Sequence, residues 1–199
     1  MSSHDWNEFP YPDSAFAYPG DTLRRGWARL HQGDCEPFPD NTRVKALLKA
    51  SPGLAGSLPK KLAGDTKAIA EALQSAWRQY HSGHFQKAYK EGLKLGPLGA
   101  VVAAKAAGIY ATYLEDDEDF STTLFMDAAE RAEEAAELMP GEANTHYQRA
   151  YNLGRYSQAI SIAKALSQGL AGKVKESLET VLELAPDHSD ANTALGMFH

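Results

Sequence analysis

Apolar positions repeat in the same order in two separate stretches of this chain. In residues 128–140 and 174–186, apolar or small residues recur at i, i+4 and i+7, and a Glu-Leu-x-Pro sequence ends each run. This spacing places them on one face of an amphipathic helix, which buries that face against a neighbour. The recurrence predicts a helical unit that is used more than once, and stacked units of this kind build extended binding surfaces.

Helical periodicity continues from Asp65 to the last residue, and the alternation typical of strands is absent. The predicted helices cover residues 65–82, 85–95, 98–114, 121–139, 143–153, 155–167, 170–185 and 189–199. An acidic loop, residues 115–119, separates the third helix from the fourth. We therefore predict an all-α repeat domain over residues 65–199, with the last repeat incomplete.

The first 64 residues follow another pattern. Residues 1–20 combine three prolines with five aromatic residues, which predicts an extended strap packed on the protein body, because prolines interrupt helices. Two short helices are predicted within residues 21–50, and the glycine-containing residues 53–64 predict a linker. We assign residues 21–64 to a degenerate helical cap followed by this linker.

A short phrase in this cap recurs fifty residues later. Trp27, His31 and Gly33 stand at the same relative positions as Trp77, His81 and Gly83. We interpret the front copy as a degenerate helical pair at the first edge of the stack, since a terminal unit has one face without a neighbour.

Composition narrows the function classes. The chain has 199 residues, 43% of them hydrophobic, which is enough for a packed core. A net charge of −6 argues against nucleic-acid binding as the main role. The single Cys35 excludes an internal disulfide and fits a reducing compartment. Because the first residues lack the basic and apolar blocks of a signal peptide, we expect a cytoplasmic protein.

The helical phrases resemble the tetratricopeptide repeat (TPR), a 34-residue helix–turn–helix unit with small and bulky residues at fixed contact positions. The matching residues are Gly83, Phe85 and Ala88 in one unit, Phe125, Ala128, Ala132, Ala135 and Pro140 in the next, and Leu178, Val181 and Pro186 in the last full unit. Val174 departs from the pattern, because it stands where the family has alanine.

The spacing also departs from the family. The excess lies in the acidic loop and in residues 155–172, and we expect the second insertion to be a functional element because the fold does not need it. Residues 146–156 are similar to the His-Tyr-x-x-Ala-x-x-x-Gly-x-Tyr repeat of a TPR-like subgroup that includes the regulators of microtubule dynamics and bacterial relatives. The resemblance implies a right-handed solenoid of helical hairpins over about residues 68–199.

In the TPR family the first helix of each hairpin lines a concave groove. Transferred to this chain, that rule gives a partner-binding groove of Trp77, Tyr80, His81, Asn144, Tyr147, Gln148 and Tyr151. Aromatic rings with a few polar groups are common at binding hot spots. The alternative is that these side chains pack in the core between helices.

The leading prediction is a non-catalytic scaffold that binds a peptide or protein partner in this groove. The alternative is a small-molecule or lipid receptor with an aromatic-lined cavity that the strap helps to close. A closed apolar cavity would favour the receptor, and an open polar groove would favour the scaffold.

Motifs for catalysis, cofactors and metals are not evident. His81 and His84 are separated by a helix-breaking glycine and have no third ligand nearby in sequence, so we interpret them as turn residues. The acidic loop lacks the ligand spacing of a calcium loop. Cys35 stands between two acidic residues, which disfavour a thiolate. We predict no catalytic, cofactor-binding or metal-binding residue.

The end of the chain predicts an uncovered face. Residues 189–199 open a repeat without the second helix that would close it. We expect Leu195, Met197 or Phe198 to leave an apolar face open, which is typical of an interaction site. Either native sequence beyond His199 or a second copy of the chain would meet this face.

Overall fold

The computed structural model describes residues 4–197, and every regular element in this range is helical. Its α-helices are α1 Thr22–Leu30, α2 Asn41–Ala50, α3 Leu54–Ser57, α4 Thr66–His81, α5 Phe85–Leu93, α6 Ala100–Tyr113, α7 Glu118–Leu138, α8 Ala143–Ala159, α9 Ile162–Ser167, α10 Leu170–Leu184 and α11 Ser189–Gly196. The predicted all-α fold is therefore confirmed. Within the same range, no helix is both long and apolar enough to cross a membrane.

Acidic side chains cap the N-termini of several helices. At α4, the Asp65 carboxylate accepts the amide N–H of Ala68 at 2.9 Å. At α7, Asp117 accepts the amide N–H of Phe120 at 3.0 Å, which supplies a partner for an otherwise unpaired donor. The helix predicted to begin at Ser121 therefore starts earlier, at the residue after Asp117.

The helix predicted to end at Leu153 continues to Ala159 as α8. Gly154 lies inside it, where an added Cβ would meet no atom within 4 Å, and a glycine within a helix costs only about 1 kcal/mol. Packing of α8 against both α7 and α10 compensates for that cost. The separate helix predicted over residues 155–167 is reduced to the short α9, which begins after Ser161.

Helices α4 to α8 each pack against the next helix along the chain, and α8 then packs against α10, which packs against α11. Helix α6 also contacts both α4 and α8. Small side chains allow these close approaches. Ala88, Ala103, Ala128 and Ala132 are fully buried in one cluster that joins α5, α6 and α7. The prediction that Ala128 and Ala132 face a neighbouring helix is confirmed.

Residues 4–20 pack on the helices although they contain only one helical turn, Ser14–Phe16. The Trp6 ring stacks on Tyr110 of α6 with centroids 4.2 Å apart. The Phe9 ring lies over Gly83, whose φ of +79° favours glycine. A Cβ at this position would come within 2.7 Å of the Phe9 ring, so the turn after α4 requires glycine for both reasons.

The segment predicted as a linker also joins the packed body. It contains α3, and Leu54 at the start of α3 is fully buried. Leu54 belongs to a core cluster with Ile69 and Leu73 of α4. This segment therefore contributes to the hydrophobic core of the first helices.

Candidate functional site: a saturated polar loop and an open apolar groove

The two copies of the Trp-x-x-x-His phrase contact each other. The Trp27 ring meets the Trp77 ring edge-on, with centroids 5.5 Å apart and planes at 89°. Nε2 of His31 lies 3.2 Å from Nε2 of His81. Trp27 and His31 therefore each touch their own counterpart in the second copy, as in a self-complementary interface.

The contacts of the two histidines indicate which of their ring nitrogens carry a proton. His31 Nδ1 lies 2.9 Å from the Asp34 carboxylate, so Nδ1 carries a proton and donates it. Because the neutral His31 ring then has no proton on Nε2, this nitrogen accepts a hydrogen bond from the Nε2–H of His81. Burial lowers the pKa of His31 and lowers that of His81 to about 3, which keeps both rings uncharged at neutral pH.

Residues 31–40, called the crossing loop below, run from α1 across α6 and α8. The Lys105 ammonium of α6 donates to the Asp34 carboxylate. Asn144 of α8 donates to the Asp34 backbone carbonyl at 2.8 Å and to the Glu36 carboxylate at 2.7 Å. Although burial opposes it, the hydrogen bond from His31 and the Lys105 charge hold the pKa of Asp34 well below its usual range. Burial and the Asp34 charge raise the pKa of Glu36 to about 8.

The same network reaches the start of α11. His188 Nδ1 accepts the Ala191 amide N–H at 3.1 Å, so its Nε2–H donates to the Asn144 side-chain oxygen, also at 3.1 Å. The Asp190 amide donates to the Gly33 carbonyl at 3.0 Å. A Cβ on Gly33 would come within 2.2 Å of the Asp190 carboxylate, so this crossing has no room for a larger residue.

The structure divides the seven predicted groove residues. Three lie in the interior with 1–5% exposure, namely Trp77, Asn144 and Gln148. Trp77 and Asn144 are in contact with α1 and the crossing loop, so for them the core alternative describes the structure. Four keep part of their surface in solvent: Tyr80, His81, Tyr147 and Tyr151.

A groove of about 850 Å³ opens between α8, α9, α10 and α11, and we call it the α8–α11 groove. Leu170, Val174 and Leu178 of α10 form its floor, and these side chains are buried. Ile162 and Leu166 of α9 stand at its edge with 80% and 73% of their surface exposed. Large exposed apolar side chains around a concave surface mark an interaction site.

One face of α8 forms the polar wall of this groove. Tyr147, Tyr151 and Arg155 recur every fourth residue and line it together. The Arg155 guanidinium lies 5.5 Å from the centre of the Tyr151 ring, and the Tyr151 hydroxyl pairs with that of Thr112 at 3.2 Å. Two of the predicted site residues, Tyr147 and Tyr151, therefore meet at the groove, while Trp77, Tyr80 and His81 do not line it.

The predicted apolar end of the chain contributes to the same groove. Met197 lines it and is 80% exposed. Leu195 is partly buried against the core, and Phe198 lies outside the described residues. The sequence signal for this site was the unneeded insertion at residues 155–172, which contains α9, but the pattern did not indicate that α9 and α11 face one cavity.

Comparisons with protein-family models, characterised proteins and solved structures find no match to this chain. The resemblance to the TPR therefore rests on the residues of this chain alone. Among residues 4–197, no group of three or more His, Cys, Asp or Glu side chains is placed to hold a metal ion.

Proposed function

We propose that this protein is a TPR-like scaffold that binds a helical segment of a partner protein in the α8–α11 groove. The observation that carries the proposal is the open groove of about 850 Å³ with Ile162, Leu166 and Met197 exposed around it. Burying such side chains against a partner gains roughly 25 cal/mol for each Å² of apolar surface.

The TPR-like architecture is part of this proposal. We propose a right-handed solenoid of helical hairpins, with residues 1–20 as a strap along its edge. Two observations support it: each helix from α4 to α8 packs on the next, and α6 also contacts α4 and α8, as the first helices of TPR hairpins do. The crossing loop then fills the middle of the concave side, which leaves the α8–α11 groove as its open part.

A helix fits this groove better than an extended peptide. Amphipathic helices bind by laying apolar residues at i, i+3, i+4 and i+7 into a hydrophobic groove between helices. Aliphatic side chains of α9 and α10 line much of the α8–α11 groove. An extended peptide would require backbone hydrogen-bond partners along these walls, where most of the surface is apolar.

A small-molecule or lipid receptor is the second candidate. The groove volume lies in the usual range for small-molecule sites, roughly 300–1,000 Å³, and Tyr147 and Tyr151 line it. The exposure of α9 favours the helix, because a ligand lying on the floor of the groove would leave Ile162 and Leu166 in solvent.

The proposal also includes a non-catalytic, cytoplasmic protein. In the crossing-loop network, the ionisable groups of His31, Asp34 and Lys105 are paired with one another, which leaves them few contacts for a substrate. The only cysteine of the sequence, Cys35, is an exposed free thiol, which is consistent with a reducing compartment.

Selection from a displayed library of 18-residue amphipathic helices, followed by titration of the enriched peptides, tests the proposal. We expect binding that weakens by about tenfold or more in the double variant Ile162→Lys and Leu166→Lys, since both anchors are lost. Tyr113→Lys is the matched control, because Tyr113 is 68% exposed on α6 outside the groove.

Two outcomes would contradict helix binding. Enriched helices that bind the double variant as well as the original chain would place the site elsewhere. A fluorescent fatty acid that binds while no helix is enriched would favour the receptor. Light scattering of the free chain over a dilution series would show whether a second copy occupies the groove through residues 189–199.

A further inference from the structure

We infer that the α8–α11 groove selects a helix by the order of its charges, an inference that rests on the proposed helix binding. The preferred helix carries a basic residue near its N-terminus, which faces Asp190. It carries an acidic residue about two turns later, which faces Arg155. Such a helix runs in the same direction as α8.

Opposite charges stand at the two ends of the groove wall. Tyr147, Tyr151 and Arg155 form one stripe along α8, and a helix rises 1.5 Å per residue, so about 12 Å separates the first from the last. The Tyr147 ring lies 4.6 Å from the ring of His188, and Asp190 follows at the start of α11. Asp190 therefore marks the Tyr147 end of the groove, and Arg155 marks the other end.

Neither of these two charged side chains forms an ion pair with another of the described residues. Over residues 4–197, Arg155 forms no ion pair, and its closest hydrogen-bond acceptor is the Gln158 amide oxygen at 3.4 Å. Asp190 forms no ion pair in this range either. The Lys105 charge acts on Asp190, but its ammonium is bound to Asp34. Both charges therefore remain for a bound partner.

Between these two charges, the groove is lined by small and aliphatic side chains as well as by Tyr151. Ala150 of α8 and Ala194 of α11 face the groove between its ends, opposite Val174 and Leu178. Two turns of a bound helix span about 11 Å, close to the rise of about 12 Å along α8 from Tyr147 to Arg155. A basic and an acidic residue seven or eight positions apart would thus reach both ends while the apolar stripe between them fills the floor.

The helix dipole favours the same orientation. The N-terminus of a helix carries a partial positive charge and its C-terminus a partial negative charge. A helix whose N-terminus lies near Asp190 and whose C-terminus lies near Arg155 meets an opposite charge at each end. The reversed helix meets a like charge at each end. This repulsion weakens its binding and so discriminates between partners.

Two synthetic helices of equal composition test the charge order. Both carry the apolar stripe enriched by selection; the forward probe has Lys seven residues before Glu, and the reversed probe has Glu before Lys. We expect the forward probe to bind about tenfold more tightly, as exposed charge pairs at a rim contribute modestly but act twice here. Fluorescence anisotropy at low and high salt measures both affinities.

Variants that exchange the charges give the sharper result. The double variant Arg155→Glu and Asp190→Lys should invert the preference in favour of the reversed probe. Lys175→Glu with Glu179→Lys is the matched control, because this exposed pair on α10 lies outside the groove and its exchange also preserves net charge. Because Asp190 lies in the first turn of α11, Arg155→Glu alone is a second variant, which should remove most of the preference.

Different results would contradict the charge order and the helix binding itself. Equal binding of the two probes to the unchanged chain, or an unchanged preference in folded Arg155→Glu, would overturn the charge order and leave helix binding intact. If neither probe nor any selected helix binds, both proposals fail. Circular dichroism of each variant establishes that it is folded.

Discussion

The two faces of α8 lie in different surroundings. On the face toward the crossing loop, Asn144 is buried and bonded to Asp34, Glu36 and His188. On the face toward the groove, Tyr147 and Arg155 border an open apolar surface. One region is closed by the chain's own residues, and the other is not.

This difference bears on where a partner binds. Helical repeats present one continuous surface, and the family resemblance alone would place the partner anywhere along it. In this chain the crossing loop is hydrogen-bonded to Asn144 and Lys105, so a partner there would have to displace these bonds. A partner in the α8–α11 groove needs no such displacement, because among residues 4–197 no element covers Ile162, Leu166 or Met197.

The largest expected effect is on the crossing loop. Asp34→Ala should lower the free energy of unfolding by about 3 kcal/mol, because it leaves Lys105 and the His31 N–H without their partner. Urea unfolding followed by circular dichroism measures this change. Asp116→Ala, in the exposed acidic loop, is the control and should change stability little. Equal effects of the two changes would show that the crossing loop is not a stabilising network.

A somewhat smaller effect is expected in the alanine core. Ala128→Leu should cost about 1–3 kcal/mol, because the fully buried Ala128 leaves no space for added methylene groups. The exposed Ala163→Leu in α9 is the matched control. An unchanged thermal midpoint for Ala128→Leu would contradict the close packing of α5, α6 and α7.

Acid should weaken the contact between α1 and α4. The His81 pKa is lowered to about 3 in the folded chain, so His81 binds its proton mainly after unfolding. Its stabilising contribution is complete above about pH 7 and is lost as the pH falls through 6.5, with a slope that approaches about 1.4 kcal/mol per pH unit. Glu36, whose pKa is raised to about 8, binds its proton mainly in the folded chain, so its contribution to stability increases as the pH falls.

The test therefore compares how much stability two histidine variants and the unchanged chain lose between pH 7 and pH 5. The stability of His81→Gln should decline less between pH 7 and pH 5 than that of the unchanged chain. His84→Gln, at an exposed position, should keep the full decline. Parallel pH profiles for all three chains would show that the histidine pair does not stay neutral in the fold.

The smallest effect on stability is expected at the groove. Ile162→Lys with Leu166→Lys should change the free energy of unfolding by less than about 0.5 kcal/mol, because both side chains are exposed. Binding of the selected helix should nevertheless be lost. A large loss of stability in urea unfolding would instead assign these residues to the packing of α9.

Local sequence signals accounted for most of the helices. Helical periodicity placed α4 and α10 within a few residues of their observed ends. Gly154 was misleading, because packing on two neighbouring helices overrides the weak helix propensity of one glycine. The crossing loop had no local signal, since the bond between Asn144 and Asp34 joins residues 110 positions apart.

The candidate site was only partly predictable for a related reason. The resemblance predicts which residues lie on the first helices of hairpins, and in the structure Tyr147 and Tyr151 keep part of their surface exposed. It does not show whether solvent or another part of the chain covers that face. Trp77 and Asn144 are covered by the front copy of the Trp-His phrase and by the loop that follows it.

Hydrogen exchange of the chain with and without the selected helix tests the central claim most directly. Binding in the α8–α11 groove predicts slower exchange in residues 160–172 and 189–197, with no change in the crossing loop. Protection confined to the crossing loop, the last turns of α4 and the part of α6 around Lys105, with α9 unaffected, would contradict the proposal and place the partner on the inner face.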